Sequence, residues 1–514
     1  MRRIVWILMG LGIAARCVRM ALRFPLWPDE AFLAASLIDR GYTGLLEPLE
    51  YHQVAPFLFM WVQVTFVKLL GFNEFALRMF PFLCGIGSLF LFRRLAARLL
   101  GGGAYVGAVA LFAAAYPLIR YSGEAKPYGS DVLVALVLIT LAVEAWRRPD
   151  RWLPMAALIA FVPVGIGLSY PAVFVGGGVS LALGAAALSR GDRRAWLRWC
   201  LYNLVLVGSF ACLFALSAGK QADAETYMTE AWAHTFPPYQ SPVELVGWLV
   251  KTHASDMLAY PVGASHGGSS LTLLGCIAGA CVLLRQRRWT LALLCFVPPG
   301  LHLIAAAMQR YPYGGHLRFT LYLAPVICVL AALGVAWAIA RFARSPSRRP
   351  ALYGILLGLV ALIPLGSMVR DVVRPYKAAE YQRARDFARW FWHDTALSGE
   401  VVCLRTDLGL CFAPKTLEWG DSSLYVCNQR IYSKRHARGE PPDFDRVSKE
   451  WPLRVVQFRV TRWEYDQEAF DLWMAKMQTE YDFVGHETHR LAEYGGKKKL
   501  LGLNRIEVYE FVPK

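Results

Sequence analysis

Charge is scarce in this chain. Only 18% of its 514 residues are Asp, Glu, Lys or Arg, against 56% that are hydrophobic. A soluble protein of this length needs far more polar surface, because a folded domain cannot hide that much apolar area. Disorder is excluded by the same balance and by an aromatic content of 13%. Acidic residues are scarcer than basic ones, and the formal charge of +17 would suit nucleic acid. Yet the arginines stand in short blocks between apolar runs, the mark of cytoplasmic loops in membrane proteins, so no nucleic-acid partner is expected.

Other signatures are missing too. No Cys-x-x-Cys pair occurs among the eleven cysteines, which removes zinc-ribbon and thioredoxin-like chemistry. Eight cysteines lie in or beside apolar runs and read as small buried hydrophobes. Cys403, Cys411 and Cys427 fall in a polar tail, where an oxidising compartment would permit one disulfide among them. No His/Asp/Glu set has metal-ligand spacing. There is no internal repeat and no low-complexity linker. Gly101–Gly103 and Gly176–Gly178 lack a following phosphate-loop pattern and read as turn or packing glycines. The start, Met1-Arg2-Arg3 and an apolar run, lacks a small-residue cleavage site, so an uncleaved first helix is expected.

What is present is a series of apolar stretches of spanning length: 4–22, 77–92, 104–119, 128–145, 152–169, 171–189, 199–217, 271–284, 289–308, 319–340 and 351–369. This predicts a polytopic α-helical membrane protein with about eleven transmembrane helices. The arginine blocks 93–98, 147–151, 190–198, 285–288 and 341–349 then face the cytoplasm together with the N-terminus. The polar segments 24–76, 120–127, 218–270, 309–318 and 370–514 face the other side. Residues 56–71 are apolar enough to span, but a span there would invert every arginine block. The segment is therefore expected to lie along the outer membrane surface or to re-enter it, and Trp61 and Lys68 would suit an interfacial helix. The bundle is expected over 1–374. From 375 to 514 a polar helical segment (378–393) and short strand-like runs (401–404, 424–427, 454–460, 506–511) predict an extracytoplasmic α/β domain.

Three external clusters carry chemistry. Trp27-Pro28-Asp29-Glu30 follows the first span. Two carboxylates at a membrane boundary are costly unless solvated or paired, and they read equally well as a functional pair or as the first turn of a capped helix. Adjacent helical positions diverge by about 100°, so Asp29 as base and Glu30 as orienting group is the natural division. Tyr121-Ser122-Gly123-Glu124-Ala125-Lys126-Pro127-Tyr128 and Arg310-Tyr311-Pro312-Tyr313-Gly314-Gly315-His316-Leu317-Arg318 are the second and third clusters. With Arg78 at the start of the second span, they bring cations to the face that carries Asp29 and Glu30, which suits an anionic head group. His52 stands just before the surface segment. Arg16, Arg19 and Arg23 share one face of the first helix and are expected to turn into the bundle.

The order of these features resembles the GT-C glycosyltransferases. A first span is followed by an external Asp-Glu, a Pro-containing surface helix, then Gly71-Phe72-Asn73-Glu74-Phe75-Ala76-Leu77-Arg78 opening the next span. Within that superfamily the chain looks most like protein O-mannosyltransferases and aminoarabinose-type lipid-linked sugar transferases. The resemblance covers about residues 1–340 and rests on the order of short motifs. It implies catalytic roles for Asp29 and Glu30 and phosphate-binding roles for Arg78, Lys126 and Arg318. His52, Glu124, Tyr128, Tyr311 and His316 become substrate-cleft candidates. Ser122–Tyr128 looks like the family's Glu-x-Arg-x-Tyr-like stretch, here with Lys126; Tyr311–Arg318 looks like its late Tyr/Arg loop before a Pro-containing span, here with Pro325. Where many members have Lys- or His-Pro-Pro, this chain has His52-Gln53-Val54-Ala55-Pro56, so a phosphate-binding lysine does not transfer there.

The implied reaction moves a sugar from a polyprenyl-phosphate donor to a lipid, glycan or protein acceptor. No cofactor is required, although Asp29 and Glu30 leave room for a divalent ion. A transporter of a lipid-linked saccharide would use a similar basic face, but it commonly shows paired halves and interrupted helices. A membrane scaffold recruiting partners through its tail is the third reading.

Overall fold

The computed structural model describes residues 2–38, 40–49, 53–218, 232–262, 268–343, 345–373, 385, 400–404, 453–459, 467–490 and 505–514. Contacts divide the chain into two compact units. The first comprises Met1–Arg23, Tyr42–Leu69 and Phe75–Arg374; the second comprises Phe24–Gly41, Leu70–Glu74 and Pro375–Lys514.

The first unit is a helix bundle: α1 (Arg2–Ala21), α3 (Phe57–Leu70), α4 (Glu74–Leu99), α5 (Gly102–Ala114), α6 (Tyr116–Tyr121), α7 (Tyr128–Arg147), α8 (Leu153–Leu168), α9 (Ala172–Arg190) and α10 (Arg193–Leu213) are followed by Gly268–Arg285, Trp289–Ala307, Ala324–Phe342 and Arg349–Val373. Among the described residues, eight helical stretches are long and apolar enough to cross a membrane. Three of the sequence-predicted spans fall on shorter apolar helices, Gly102–Ala114, Leu153–Leu168 and Ser269–Arg285. The chain is thus an integral, multi-pass membrane protein. α3 has 14 residues, about 21 Å of helix against a hydrocarbon core of about 30 Å. It is too short to cross upright, and so, taken alone, is α5 with 13 residues. Its Trp61 indole donates to the Tyr42 carbonyl at 2.7 Å, and Lys68 lies 4.3 Å from the Tyr42 ring centre.

Packing rests on small residues where helices cross closely. Gly275 and Gly279, spaced i,i+4, face the helix Ala324–Phe342: a Cβ on Gly279 would sit 2.0 Å from the Leu330 carbonyl oxygen, and one on Gly334 2.0 Å from that of Gly275. Without a hydrophobic force between helices in lipid, such backbone approach is what holds them together. α7 is buried along most of its length, packed on α8, α9 and the 3-10 segment Leu317–Leu323. The outer faces of α10 and Arg349–Val373 instead present Leu204, Val207, Ile355 and Leu362, as lipid contact requires.

The second unit holds α2 (Pro28–Ala35), the helix Gln467–Glu480 and a four-stranded sheet in the order β1-β2-β4-β3. β1 (Glu400–Leu404) runs parallel to β2 (Leu453–Arg459), and β4 (Arg505–Pro513) pairs antiparallel with both β2 and β3 (Tyr481–Arg490). Three of these strands match the strand-like runs read from the sequence. β3 does not: a register shift between Phe483 and Gly485 breaks its alternation. The expected strand 424–427, Cys411 and Cys427 lie outside the described residues, as does all of 378–393 except Arg385.

Candidate functional site

Charged side chains inside an apolar bundle have to find polar partners or remain costly. Around residues 120–128 they find several. Arg19 of α1 reaches Asp371 near the end of Arg349–Val373 at 2.8 Å, with both side chains buried. Its Nε donates to the Arg120 carbonyl at 3.3 Å. Arg120 in turn donates from Nε to Glu124 Oε1 at 2.8 Å and lies over the Tyr121 ring. Glu124 is 4% exposed, and its second oxygen has no hydrogen-bond partner among the described residues. Lys126, 6% exposed, donates from Nζ to Gln53 Oε1 at 2.7 Å. Arg16, deeper on the same face of α1, is buried and donates to the Gly12 and Ala113 carbonyls. Arg23 is exposed, 5.8 Å from the Phe75 ring centre. The expected inward turn of the first-helix arginines holds for Arg16 and Arg19 only.

Tyr128 joins this turn to the later loop. Its ring meets Tyr121 edge-on at 5.1 Å, and the Arg318 guanidinium lies 6.0 Å from its centre. Arg318 is buried and stacks more closely on Trp232, at 4.7 Å, and on Phe319, at 5.2 Å. His316 meets the same Trp232 edge-on. Beneath, His302 is fully buried, accepts from or donates to the Tyr322 hydroxyl through Nδ1 and contacts the Pro312 carbonyl through Nε2 at 2.8 Å. A carbonyl only accepts, so Nε2 carries the proton and Nδ1 accepts from Tyr322. Phe174 stacks flat on His302, and Tyr311 packs edge-on to both rings. Desolvation in this aromatic cluster, reinforced by Asp131, holds the Tyr311 phenol well above its ordinary value. It therefore stays a neutral hydroxyl.

Asp29 and Glu30 belong to the second unit, in the first turn of α2. Glu30 is buried, and its Oε2 accepts the Trp27 backbone N–H at 3.3 Å, one arm of a capping box. Asp29 is half-buried. Arg78 is buried in the second turn of α4. His52 lies outside the described residues. The bundle thus gathers Tyr128, Arg318, His316 and Tyr311 about one aromatic cluster, next in sequence to Glu124 and Lys126.

Sequence reasoning missed Trp232, Gln53, His302, Asp131 and Asp371. Trp232 is 86 residues from Arg318 and carries no motif. His302 and Asp131 had a usable signal, each being a polar residue inside an apolar stretch, whereas Asp371 stands beside Arg370 just past one.

No family model and no curated protein matches the sequence. Solved structures do resemble the fold. ArnT from Cupriavidus metallidurans, bound to undecaprenyl phosphate, is 14% identical, with 98% of this chain and 97% of that one covered at a TM-score of 0.57. The same protein in the apo state gives 0.56 at equal identity and coverage. The archaeal oligosaccharyltransferase AglB from Archaeoglobus fulgidus, in complex with an inhibitory peptide and a dolichol-phosphate, is 13% identical, with 88% of this chain and 69% of that one covered at 0.47.

Proposed function

Taking as premise that this multi-pass chain has the GT-C fold, we propose that it transfers a sugar from a polyprenyl-phosphate donor to an acceptor on the non-cytoplasmic face. The observation that carries the reading is likeness over almost the whole chain to a structure that holds undecaprenyl phosphate. The buried cations of the bundle support it, since a lipid phosphate at a membrane boundary needs fixed positive partners.

In this reading an acceptor hydroxyl or amine attacks the anomeric carbon. The bond from that carbon to the phosphate oxygen breaks, and its electron pair leaves with the lipid phosphate. The acceptor's proton passes to Asp29 as general base. Glu30 keeps its place in the helix cap and so orients Asp29. Arg78, Lys126 and Arg318 meet the charge on the departing phosphate, in surroundings drier than water, where such contacts weigh more. Tyr128, Tyr311 and His316 shape the sugar's surroundings, with Glu124 accepting from its hydroxyls. One displacement inverts the anomeric configuration. Three cations make a metal dispensable; a divalent ion at Asp29 and Glu30 is the alternative that chelation separates. The arginine blocks support a cytoplasmic N-terminus with 370–514 on the other side. The domain at 375–514 selects the acceptor.

The test uses purified protein in lipid nanodiscs with a polyprenyl-phosphate sugar. Release of free polyprenyl phosphate together with glycosylated acceptor is expected. Intact donor after prolonged incubation, with donor translocated in proteoliposomes, would point to a transporter instead.

A further inference from the structure

We infer that Arg19 is a positioning residue for the 120–128 turn, setting where Lys126 stands for the donor phosphate. This rests on the reading of Lys126 given above. Arg19 lies near the end of α1, more than a hundred residues from that turn, yet it fastens the turn at its closing point. The Arg120 carbonyl already accepts backbone N–H groups of the turn, that of Gly123 at 3.0 Å, and Arg19 Nε is a further donor at 3.3 Å. The stem of Arg19 fills the space beside Gly123, where a Cβ would come within 3.3–3.4 Å of its Cγ, Cδ and Nε. From this fixed carbonyl the chain runs through the Arg120–Glu124 pair, and the Lys126 N–H donates to the Glu124 carbonyl at 2.8 Å. Every step from Arg19 to Lys126 is therefore a hydrogen bond or a covalent link.

Asp371 holds the other side of the guanidinium at 2.8 Å. Its part differs. It neutralises a charge buried in the bundle, but no hydrogen bond or ion pair among the described residues takes it to the turn itself. Breaking a buried pair by removing one member leaves the other charge uncompensated, whereas removing both relieves it. The two members can thus be told apart by what each variant does to stability and to donor affinity.

The experiment measures thermal stability, donor KM and kcat on purified protein in nanodiscs, with a polyprenyl-phosphate sugar as the probe. Arg19→Ala should raise donor KM roughly three- to tenfold, the range of one lost buried hydrogen bond, with a smaller effect on kcat. Asp371→Asn should lower the melting temperature and leave KM at the wild-type value. The double variant Arg19→Ala/Asp371→Asn should regain stability and keep the raised KM. A purely structural pair behaves otherwise: loss of folded protein lowers the number of active molecules and does not move KM. Recovery of KM along with stability in the double variant would overturn the inference. If Arg19→Ala does not fold, Arg19→Lys answers the question. Lysine keeps the charge opposite Asp371 but lacks the fork that reaches the Arg120 carbonyl as well, so a folded variant with raised KM is expected and a wild-type KM contradicts the proposal. Lys126→Ala is measured alongside. A raised KM there with an unmoved KM in both Arg19 variants refutes the positioning role alone. An unmoved KM in Lys126→Ala refutes that role and the phosphate-binding reading together.

Discussion

Arginines at the two ends of the bundle's helices live in different surroundings. Where α4, α7 and α9 end, Arg147 donates to the Arg98 carbonyl, Arg190 to Trp146 at 2.7 Å, and Arg288 to Leu99 at 2.9 Å. Arg198 adds a bond to the Pro149 carbonyl at 2.7 Å. These side chains stay in part exposed, and the first three satisfy carbonyls that a helix C-terminus leaves over. Around 120–128 and 317–323, Arg19, Lys126 and Arg318 are buried, each with named partners of its own. The contrast separates two uses of one charge. At the exposed ends, sidedness is a matter of number, and any one arginine is replaceable. In the buried set each cation has its own geometry, and losing one leaves a specific gap.

Variants can sharpen that division. The largest effect belongs to neither set. Asp29→Asn keeps shape and removes the basic carboxylate, so turnover should fall by about 10²–10⁴-fold while donor binding is spared. Separate binding and transfer assays check this, and near-normal transfer would return Asp29 to the helix cap. Arg78→Ala should lower donor affinity and turnover together, since it removes charge stabilisation from bound donor and transition state alike. Chelation by EDTA should leave transfer unchanged; complete loss, restored by one divalent metal, would make Asp29 and Glu30 its ligands. The smallest effect is expected from Arg190→Ala, below about 1 kcal/mol of stability. For sidedness, single cysteines at Thr43→Cys and Glu487→Cys should label from outside intact cells and Arg193→Cys only after permeabilisation. The reverse pattern would invert the topology.

Much of the bundle was legible in advance because lipid imposes a simple rule: spans must be apolar and closed in their own hydrogen bonds. Helix positions follow from that, α3 among them. The sheet was harder. β1, β2 and β4 carry short apolar runs, whereas β3 reads Tyr-Asp-Phe-Val-Gly-His-Glu-Thr-His-Arg and buries little beyond Tyr481. Its pairing with β4 is a tertiary choice, in which buried Glu507 accepts from Thr488 at 2.5 Å and pairs with His486 at 2.7 Å. Among site residues, Lys126 and Arg318 stood out as cations in short loops. Their partners Gln53 and Trp232 did not, because nothing in a sequence marks an ordinary residue that becomes a neighbour only through folding.

The most direct test compares one cation from each set in a single binding experiment. Equilibrium binding of polyprenyl phosphate is measured for the wild type, Arg318→Ala and Arg190→Ala in nanodiscs of neutral lipid. The account predicts that Arg318→Ala weakens binding about ten- to hundredfold, the scale of a lost charge-assisted contact, and that Arg190→Ala binds as the wild type does. Equal affinity for all three, or an equal loss in both variants, would contradict it.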